Sequence, residues 1–539
     1  MIDAFTYIAV YGAFVIFSAK RLLAYLHTLQ QEDYDTGRLM NWMLRNNVID
    51  KRLSLGLIIS GIVDIFAPLF VVSFINFLCI ALAGYKEKDP RKNSKKKLVS
   101  TTRAKRIFFT TYILLLAISA LGFIIPSPWF WLICVQIIPF LMILVCAFIQ
   151  PIEDIINQMY WNEAHRKIDA LKPTVIGITG SFGKTSVKHI LGHILKTHAP
   201  TLVTPGSVNT PMGITRIIRE ELDENHKYLV VEMGAYGPGS IARLCRLTPP
   251  DVGIITAIGH AHYERFKSLD TVAKTKFELA RAVLARTGTV VIHEQTLKFD
   301  AARTLKDEYG GSFIVCGDEP EINALGEAKE SFLTEDDLHI QRITQTPEGI
   351  QVEMKWGERT NLLRAPLYGI HHGHNLALAF AAARHLGIEV ATILNALRTM
   401  PQIPHRLEVV KLPGGITVID DAYNSNPLGF RSAVDLLAML KGSGRAILIT
   451  PGIVELGATH NEIHEDLGKY AAEMCDVIIA VNPKRIPTFI KGVKAGGKKA
   501  EEFATFQEAQ AWIDANKKEG DVILLENDLP DLYERIPKI

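Results

Sequence analysis

TVIGITGSFGKTS, residues 174–186, is the stretch from which the fold of the larger part of this chain can be read. Thr174 to Thr179 is a run of apolar and β-branched residues, the composition of a buried strand. The Gly180-Ser181-Phe182-Gly183 turn ends that run. Lys184-Thr185-Ser186 then opens an amphipathic stretch that reads as a helix to about Leu195. Strand, glycine turn, Lys-Thr and helix together make a cradle for phosphate. Backbone N–H groups and the helix N-terminus face the anion, Lys184 reaches the outer phosphates, and the Thr185 hydroxyl can hold Mg2+. The general Walker spacing places glycine five residues before Gly183, where this chain has Ile178, so the form here is T-G-x-x-G-K-T-S. Gly180, Ser181, Gly183, Lys184, Thr185 and Ser186 are the candidate nucleotide contacts.

Outward from that loop, apolar runs alternate with amphipathic stretches from Pro173 onward, the βαβ rhythm of a parallel sheet. The 539 residues are too many for one core. With 59 basic against 57 acidic residues, total charge gives no support to a nucleic-acid partner. Six cysteines show no pairing rhythm. Cys79, Cys134 and Cys146 fall in apolar runs, while Cys245, Cys316 and Cys475 are scattered, so reduced, buried thiols are expected.

The mean hydropathy is positive, +0.15, and the excess sits in the first 150 residues. Leu55 to Tyr85 carries one charge, Asp64; Ile107 to Ile125 and Trp129 to Ile149 carry none. The last two have the length of single spans, with Pro126-Ser127-Pro128 as the turn between them and Trp129 and Trp131 in an interfacial aromatic belt. Between Lys86 and Arg106 there are 10 lysines and arginines against only Glu87 and Asp89, a loop that stays cytoplasmic. The chain after Gln150 is therefore expected in the cytoplasm. Phe5 to Phe17 is short for a full span and reads as an anchor, not a cleaved signal. Leu55 to Tyr85 is expected to bend near Asp64 and Pro68 as a shallow hairpin.

Further landmarks follow the phosphate loop in order: VTPGSVNTPMGI at 203–214, Val231-Glu232-Met233-Gly234-Ala235, and Ile258-Gly259-His260-Ala261-His262 with Glu264. After them come VAKTKFEL at 272–279, GIHHGHN at 369–375 before an alanine-rich helix from Leu376 to His385, Pro404-His405-Arg406-Leu407-Glu408, DDAYNSNP at 420–427, and Glu455-Leu456-Gly457 with His464. This series resembles the Mur ligase superfamily, and most of all its D-alanyl-D-alanine-adding, MurF-type branch, over residues 170–539. The resemblance implies an α/β architecture: transmembrane helices over 1–150 with the cytoplasmic basic loop 86–106, and a linker helix over 151–172. A phosphate-loop Mur ligase central ATP-binding domain over 173–400 and a Rossmann-like Mur ligase C-terminal domain over 401–539 would follow.

The same resemblance implies ATP and Mg2+ as cofactors and an acid–amino-acid ligase that works through an acyl phosphate in peptidoglycan precursor synthesis. Lys184, Lys276, His262 and Arg406 would be catalytic. Thr185, Glu232, His262 and Lys276 would hold metal, Lys276 as a carbamate. Asn375 would contact adenine, and Arg406, Asp421 and Asn424 would complete the nucleotide site, Arg406 reaching the γ-phosphate as the last domain closes. Expected partners are ATP, an amino-acid or dipeptide amine, a nucleotide- or lipid-linked carboxylate acceptor, and membrane lipid, at the bacterial inner membrane in a multi-pass chain. Two other readings compete: a membrane-anchored ligase for another envelope polymer such as poly-γ-glutamate, and a non-catalytic scaffold.

Three departures from the pattern bear on substrate. Transmembrane helices stand in place of the soluble first domain. The family's H-N after the glycine is His371-His372 here. Its C-terminal K-G-S gives way to Leu525-Glu526-Asn527-Asp528-Leu529-Pro530, after a strand expected over Asp521 to Leu524. A cation is thereby exchanged for Glu526 and Asp528 where the incoming amine binds. The three histidines 371, 372 and 374 lack the cysteine or carboxylate partners of a zinc site.

Overall fold

The computed structural model describes residues 2–32, 34–46, 50–87, 89–92, 97–124, 129–259, 266, 268–319, 331–422, 426–454 and 456–527. They form two compact units, one built on Met1–Gln158 and one on Met159–Asp528.

The first unit is helical: α1 (Ile2–Gln31), α2 (Thr36–Asn46), α3 (Lys51–Phe66), α4 (Leu69–Lys86), α5 (Thr102–Ala120) and α6 (Phe130–Leu171), the last running on into the second unit. Among the described residues, four helical segments are long and apolar enough to cross a membrane: Phe5–Gln31, Leu69–Lys86, Thr102–Phe123 and Phe130–Leu171. The first corrects the expectation of a short run ending at Phe17. The helix continues because its polar residues Ser18, Arg21, His27 and Thr28 are buried against neighbouring helices instead of ending the run. The bend expected in 55–85 is a break at Ala67 and Pro68, where the chain leaves α3 extended. Asp64 lies within α3, before that break. The boundary expected at 150/151 falls inside α6, a single helix of 42 residues that carries Pro139 and Pro151 in its interior. Trp131 does not form an outward belt. It is fully buried, packs against Tyr7, Tyr11 and Phe123, and donates its indole N–H to Ser119 O at 3.0 Å.

A buried ionic knot joins three segments of this unit. Arg21, 1% exposed, pairs with Asp50 at 2.8 Å and Glu87 at 3.0 Å. Asp50 in turn caps α3 by accepting from the N–H groups of Arg52 and Leu53. Several cations of the basic loop are also committed within the unit. Arg106 makes a two-pronged pair with buried Glu153, Arg103 bonds Gln150 and lies over the Tyr34 ring, and Arg91 pairs with Asp89. Removing one partner of a buried ion pair leaves the other charge desolvated, at about 3–5 kcal/mol. Arg21→Met is therefore expected to lower the thermal midpoint of the detergent-solubilised protein by several degrees. Arg21→Met with Asp50→Asn should recover part of the loss. A midpoint unchanged in the single variant would mean the knot contributes nothing.

The second unit holds two sheets. The larger has nine strands: β1 (Thr174–Thr179), β2 (Thr201–Val203), β3 (Tyr228–Glu232), β4 (Val252–Ile255), β5 (Thr289–His293), β6 (Phe313–Asp318), β7 (Leu338–Thr346), β8 (Gly349–Trp356) and β9 (Arg359–Ala365). Their order is β2-β3-β1-β4-β5-β6-β7-β8-β9, parallel as far as β7 and antiparallel through β8 and β9. Helix α7 (Lys184–His198) leaves β1 and buries Val187, Ile190, Leu191, Ile194 and Leu195 in the core under the sheet.

The second sheet has β10 (Glu408–Lys411), β11 (Thr417–Asp421), β12 (Ala446–Thr450), β13 (Val477–Val481), β14 (Glu501–Phe503) and β15 (Val522–Glu526), in the order β10-β11-β15-β12-β13-β14 with only β10 antiparallel. Two bounds differ from those expected. The strand near the C-terminal end runs to Glu526, because it lies between β11 and β12 and Glu526 is itself a ladder position opposite Asp421. The alanine-rich helix begins at His371, one turn earlier than Leu376. All six cysteines are free, and five are buried.

Candidate active site

In a parallel sheet the crevice at the C-terminal ends of the strands is the place where helix N-termini and loop backbone converge. Here β1 delivers Gly180, β3 delivers Glu232, β4 leads into Thr256 and Ala257, and β5 ends at His293. A cavity of about 610 Å3 lies among them. Ser181, Gly183, Lys184, Thr185, Ser186, Glu232, Lys276 and Asn375 line it from the first sheet's side, and Arg406, Asp421 and Asn426 from the second's. Eleven residues separated by as many as 245 positions in sequence thus meet at one site.

The loop's backbone explains its glycines. Gly183 has φ +81°, and a Cβ there would lie 2.4 Å from Asn375 Oδ1. Gly180 has φ +152° and packs on Thr256, whose hydroxyl donates to the Phe182 carbonyl. Both positions demand a residue without a side chain. Ser181 is tied to Gly259 in both directions, its hydroxyl donating to the carbonyl and accepting from the N–H, each at 3.0 Å.

Two lysines end on the same carbonyl. Lys184 Nζ donates to Gly180 O at 2.7 Å and Ser181 O at 3.1 Å, and Lys276 Nζ donates to Gly180 O at 2.8 Å. Burial pulls the Lys184 ammonium below its usual value, with Glu232 opposing and Arg406 adding to the shift. Lys276 is 5% exposed, and burial, with Lys184 beside it, holds its amine well below the ordinary lysine range. Both lysines are therefore poised to gain from an arriving anion.

Glu232 is buried, not solvated at a strand end. Its carboxylate accepts from the Thr185 hydroxyl at 3.0 Å and from Asn209 Nδ2 at 3.2 Å, and pairs with Lys188 at 3.0 Å. Burial pushes its pKa up, but Lys188 and Lys184 outweigh that and leave it below the usual carboxylate range. The Thr185 hydroxyl and Glu232 carboxylate are hard oxygen donors side by side, a set that fits Mg2+. Lys188 is a site residue that the motif reading passed over. It stands one helical turn after Lys184, on the buried face of α7, and a lysine on such a face was the available signal. Asn209, held by Tyr236 OH at 3.1 Å, was likewise missed, as were His293 and Gln295 on the cavity wall.

The histidines of GIHHGHN diverge. His371 lines the cavity, His372 is fully buried in the core, and His374 bonds Asp318 at 2.9 Å and meets the His293 ring edge-on. Burial pushes His293 down to about 3. Arg406 lies on the cavity wall beside Asp421, and Leu407 N–H donates to Asp421 Oδ1 at 3.2 Å. His262 and Asn424 fall outside the described residues, as do Tyr423, Glu264 and Glu455.

Comparison with known proteins agrees with this architecture. The Mur ligase middle domain matches residues 178–383, and the Mur ligase glutamate ligase domain matches 405–526. The UDP-N-acetylmuramoyl-tripeptide–D-alanyl-D-alanine ligase of Bacillus subtilis strain 168 is 30% identical over 304 residues, 56% of this chain and 61% of that one. The corresponding ligase of Mycobacterium tuberculosis H37Rv is 30% identical over 316 residues, 56% of each chain. The chain thus spans less than two thirds of these relatives. Among solved structures, MurF from Acinetobacter baumannii superposes with a TM-score of 0.57 at 26% identity, covering 69% of this chain and 77% of that one. MurF from Thermotoga maritima in complex with ADP shares the fold, with a TM-score of 0.56 at 23% identity over 71% and 82%.

Proposed function

We propose, from the premise that this chain belongs to the Mur ligase family through its middle and C-terminal domains, that it is an ATP-dependent ligase forming an amide bond in peptidoglycan precursor synthesis, of MurF type. The observation that carries the reading is the convergence of Lys184, Lys276, Arg406 and the Thr185–Glu232 pair on one cavity at the strand ends.

The chemistry requires two anions, an acceptor carboxylate and a triphosphate, to approach one another, and cations have to neutralise both. Lys184, released from the Gly180 and Ser181 carbonyls, meets the outer phosphates. Loop N–H groups and the α7 N-terminus hold the inner ones. Thr185 and Glu232 would hold Mg2+, and Lys276, as a carbamate, would hold a second with His262; bound there, the ions shield the charge of phosphates and carboxylate. The carboxylate oxygen attacks the γ-phosphorus, ADP departs, and an acyl phosphate results. Arg406 faces the transferred phosphoryl from the C-terminal domain's side. The amine nitrogen then attacks the acyl carbon and phosphate leaves.

The apolar helices and the basic segment 86–106 support a multi-pass anchor in the bacterial cytoplasmic membrane with the ligase half in the cytoplasm. Cations near a membrane surface attract anionic head groups at about 1 kcal/mol each, which favours a lipid-linked acceptor over a purely nucleotide-linked one.

The test is phosphate release by purified protein given ATP, Mg2+, D-alanyl-D-alanine and either UDP-N-acetylmuramoyl-tripeptide or its lipid-pyrophosphate counterpart in liposomes. Release should require acceptor and amine together; release with neither, or with no acceptor offered, would end the ligase reading. A chain beginning near Glu153 should bind ATP yet lose roughly tenfold or more on the lipid-linked acceptor, as co-localisation is lost. Equal rates for both chains on both acceptors would reduce the helices to an anchor.

A further inference from the structure

Both carboxylate oxygens of Glu232 meet a fixed protein donor. Oε1 accepts from Asn209 Nδ2 at 3.2 Å, while Oε2 accepts from the Thr185 hydroxyl and lies 3.0 Å from Lys188 Nζ. The same Lys188 ammonium donates to the Gly206 carbonyl, in the segment after β2 that brings Ser207 and Asn209 to the cavity wall. Lys188 itself is 0% exposed and does not line the cavity. It is therefore not placed to touch a ligand there, and it acts on the site through Glu232 and Gly206. Full burial of a lysine costs stability unless a charge partner offsets it, and here the partner is the carboxylate of the Thr185–Glu232 pair.

A divalent cation affects these contacts unequally. An ion held by the Thr185 and Glu232 oxygens displaces one of them, the Thr185 O–H to Oε2, because the hydroxyl has to turn a lone pair to the ion. Asn209 and Lys188 can stay, since each carboxylate oxygen has two lone pairs. The balance of charge opposes an ion that comes alone. Lys184 and Arg406 on the cavity wall, with Lys188 behind it, stand against Glu232 and Asp421 before Lys276 is counted. A triphosphate reverses that sign.

We propose that Lys188 is a positioning residue that aims Glu232 and balances its charge until Mg2+ arrives, so that the ion binds with nucleotide and not before it. The proposal deepens the ligase reading above, on which its nucleotide arm rests; the pairing of Lys188 with Glu232 stands without that reading. The lysine is no ion ligand, since an ammonium has donors only. Its charge sits against the carboxylate oxygen that the ion needs. An opposite charge that close changes a carboxylate's affinity for a proton by about tenfold or more, and a metal cation feels the same field. Loss of Lys188 therefore raises the affinity of Glu232 for Mg2+ alone, while it leaves a buried carboxylate short of its counter-charge. A lysine that only filled space would do neither.

The experiment follows the thermal midpoint of the full-length, detergent-solubilised protein in EDTA, in a MgCl2 series, and in MgCl2 with ADP. Wild type should gain little from MgCl2 alone and more once ADP is added. Lys188→Met should lose several degrees in EDTA and regain most of them in MgCl2. Its half-saturating MgCl2 should lie roughly tenfold or more below that of any wild-type response. Lys188→Gln, which keeps a donor and removes the charge, should respond to MgCl2 in the same direction. Lys188→Met with Glu232→Gln removes the buried charge along with its partner, so its response should fall to the wild-type level. The proposal is overturned if MgCl2 shifts Lys188→Met no more than wild type, or if the double variant keeps the response of the single one. It is overturned as well if both single variants stay unfolded in MgCl2, or if wild type gains as much from MgCl2 alone as from MgCl2 with ADP. Failure of the ligase reading shows elsewhere, as absent phosphate release in the turnover assay while this pattern of midpoints stands.

Discussion

Lys184→Ala is expected to lower ATP-dependent ligation by roughly 10²- to 10³-fold, the cost of removing one preorganised group that meets transition-state charge. The protein should stay folded. Among the described residues, Lys184 donates to two carbonyls of its own loop. Its burial is a cost that the loop bears for the sake of an anion. Removing it therefore takes away phosphate binding and little packing, and the thermal midpoint without ATP should hold or rise slightly. The midpoint gain that ATP confers on wild type should be much reduced in the variant, because ligand stabilisation follows affinity. Full turnover by Lys184→Ala would refute the phosphate-loop assignment.

Lys276→Ala should lose at least about 100-fold, because even a partner that only orients a metal ligand is worth about 10- to 100-fold and Lys276, as a carbamate, would be a ligand itself. The reason is chemical. Carbamylation needs a neutral amine to attack CO2, releasing one proton, and the burial of Lys276 beside Lys184 shifts its amine towards that form. The product is an anion where a cation had been, which suits a site made for Mg2+. Acetate or formate should restore part of the activity, since the deleted side chain leaves room for a small carboxylate beside Gly180. Wild type equilibrated with carbon-13 bicarbonate should carry a carbamate carbon signal that the variant lacks. Normal turnover without added carboxylate would show that Lys276 is an ordinary buried lysine.

The parts legible in sequence are those whose signal is local. TVIGIT is a strand with the bounds read from it, and the glycine turn followed by Lys-Thr occupies the cavity floor, because turn chemistry and helix start are written in adjacent residues. Lys188 was missed because its role depends on Glu232, which arrives from a strand more than forty residues later. Glu526 was read as lying after its strand because its neighbours β11 and β12, which hold it in the ladder, are distant in sequence. The reach of α1 was underestimated for a related reason. Ser18, Arg21, His27 and Thr28 look like the end of an apolar run until the helices that cover them are known. Local periodicity reports what a residue is; burial reports what stands opposite it, and only folding supplies that.

The Arg21 knot also has a consequence for the birth of the chain. Its two acidic partners come 29 and 66 residues after it. At 5–20 residues per second, a ribosome reaches Glu87 roughly 3 to 13 s after Arg21 has been made. For that interval the guanidinium has water or lipid phosphate for company and no complete set of protein partners. The helices of the first unit therefore cannot settle one at a time in their final packing; α1 has to wait, loosely held, until α4 has been synthesised and the last charge can be neutralised.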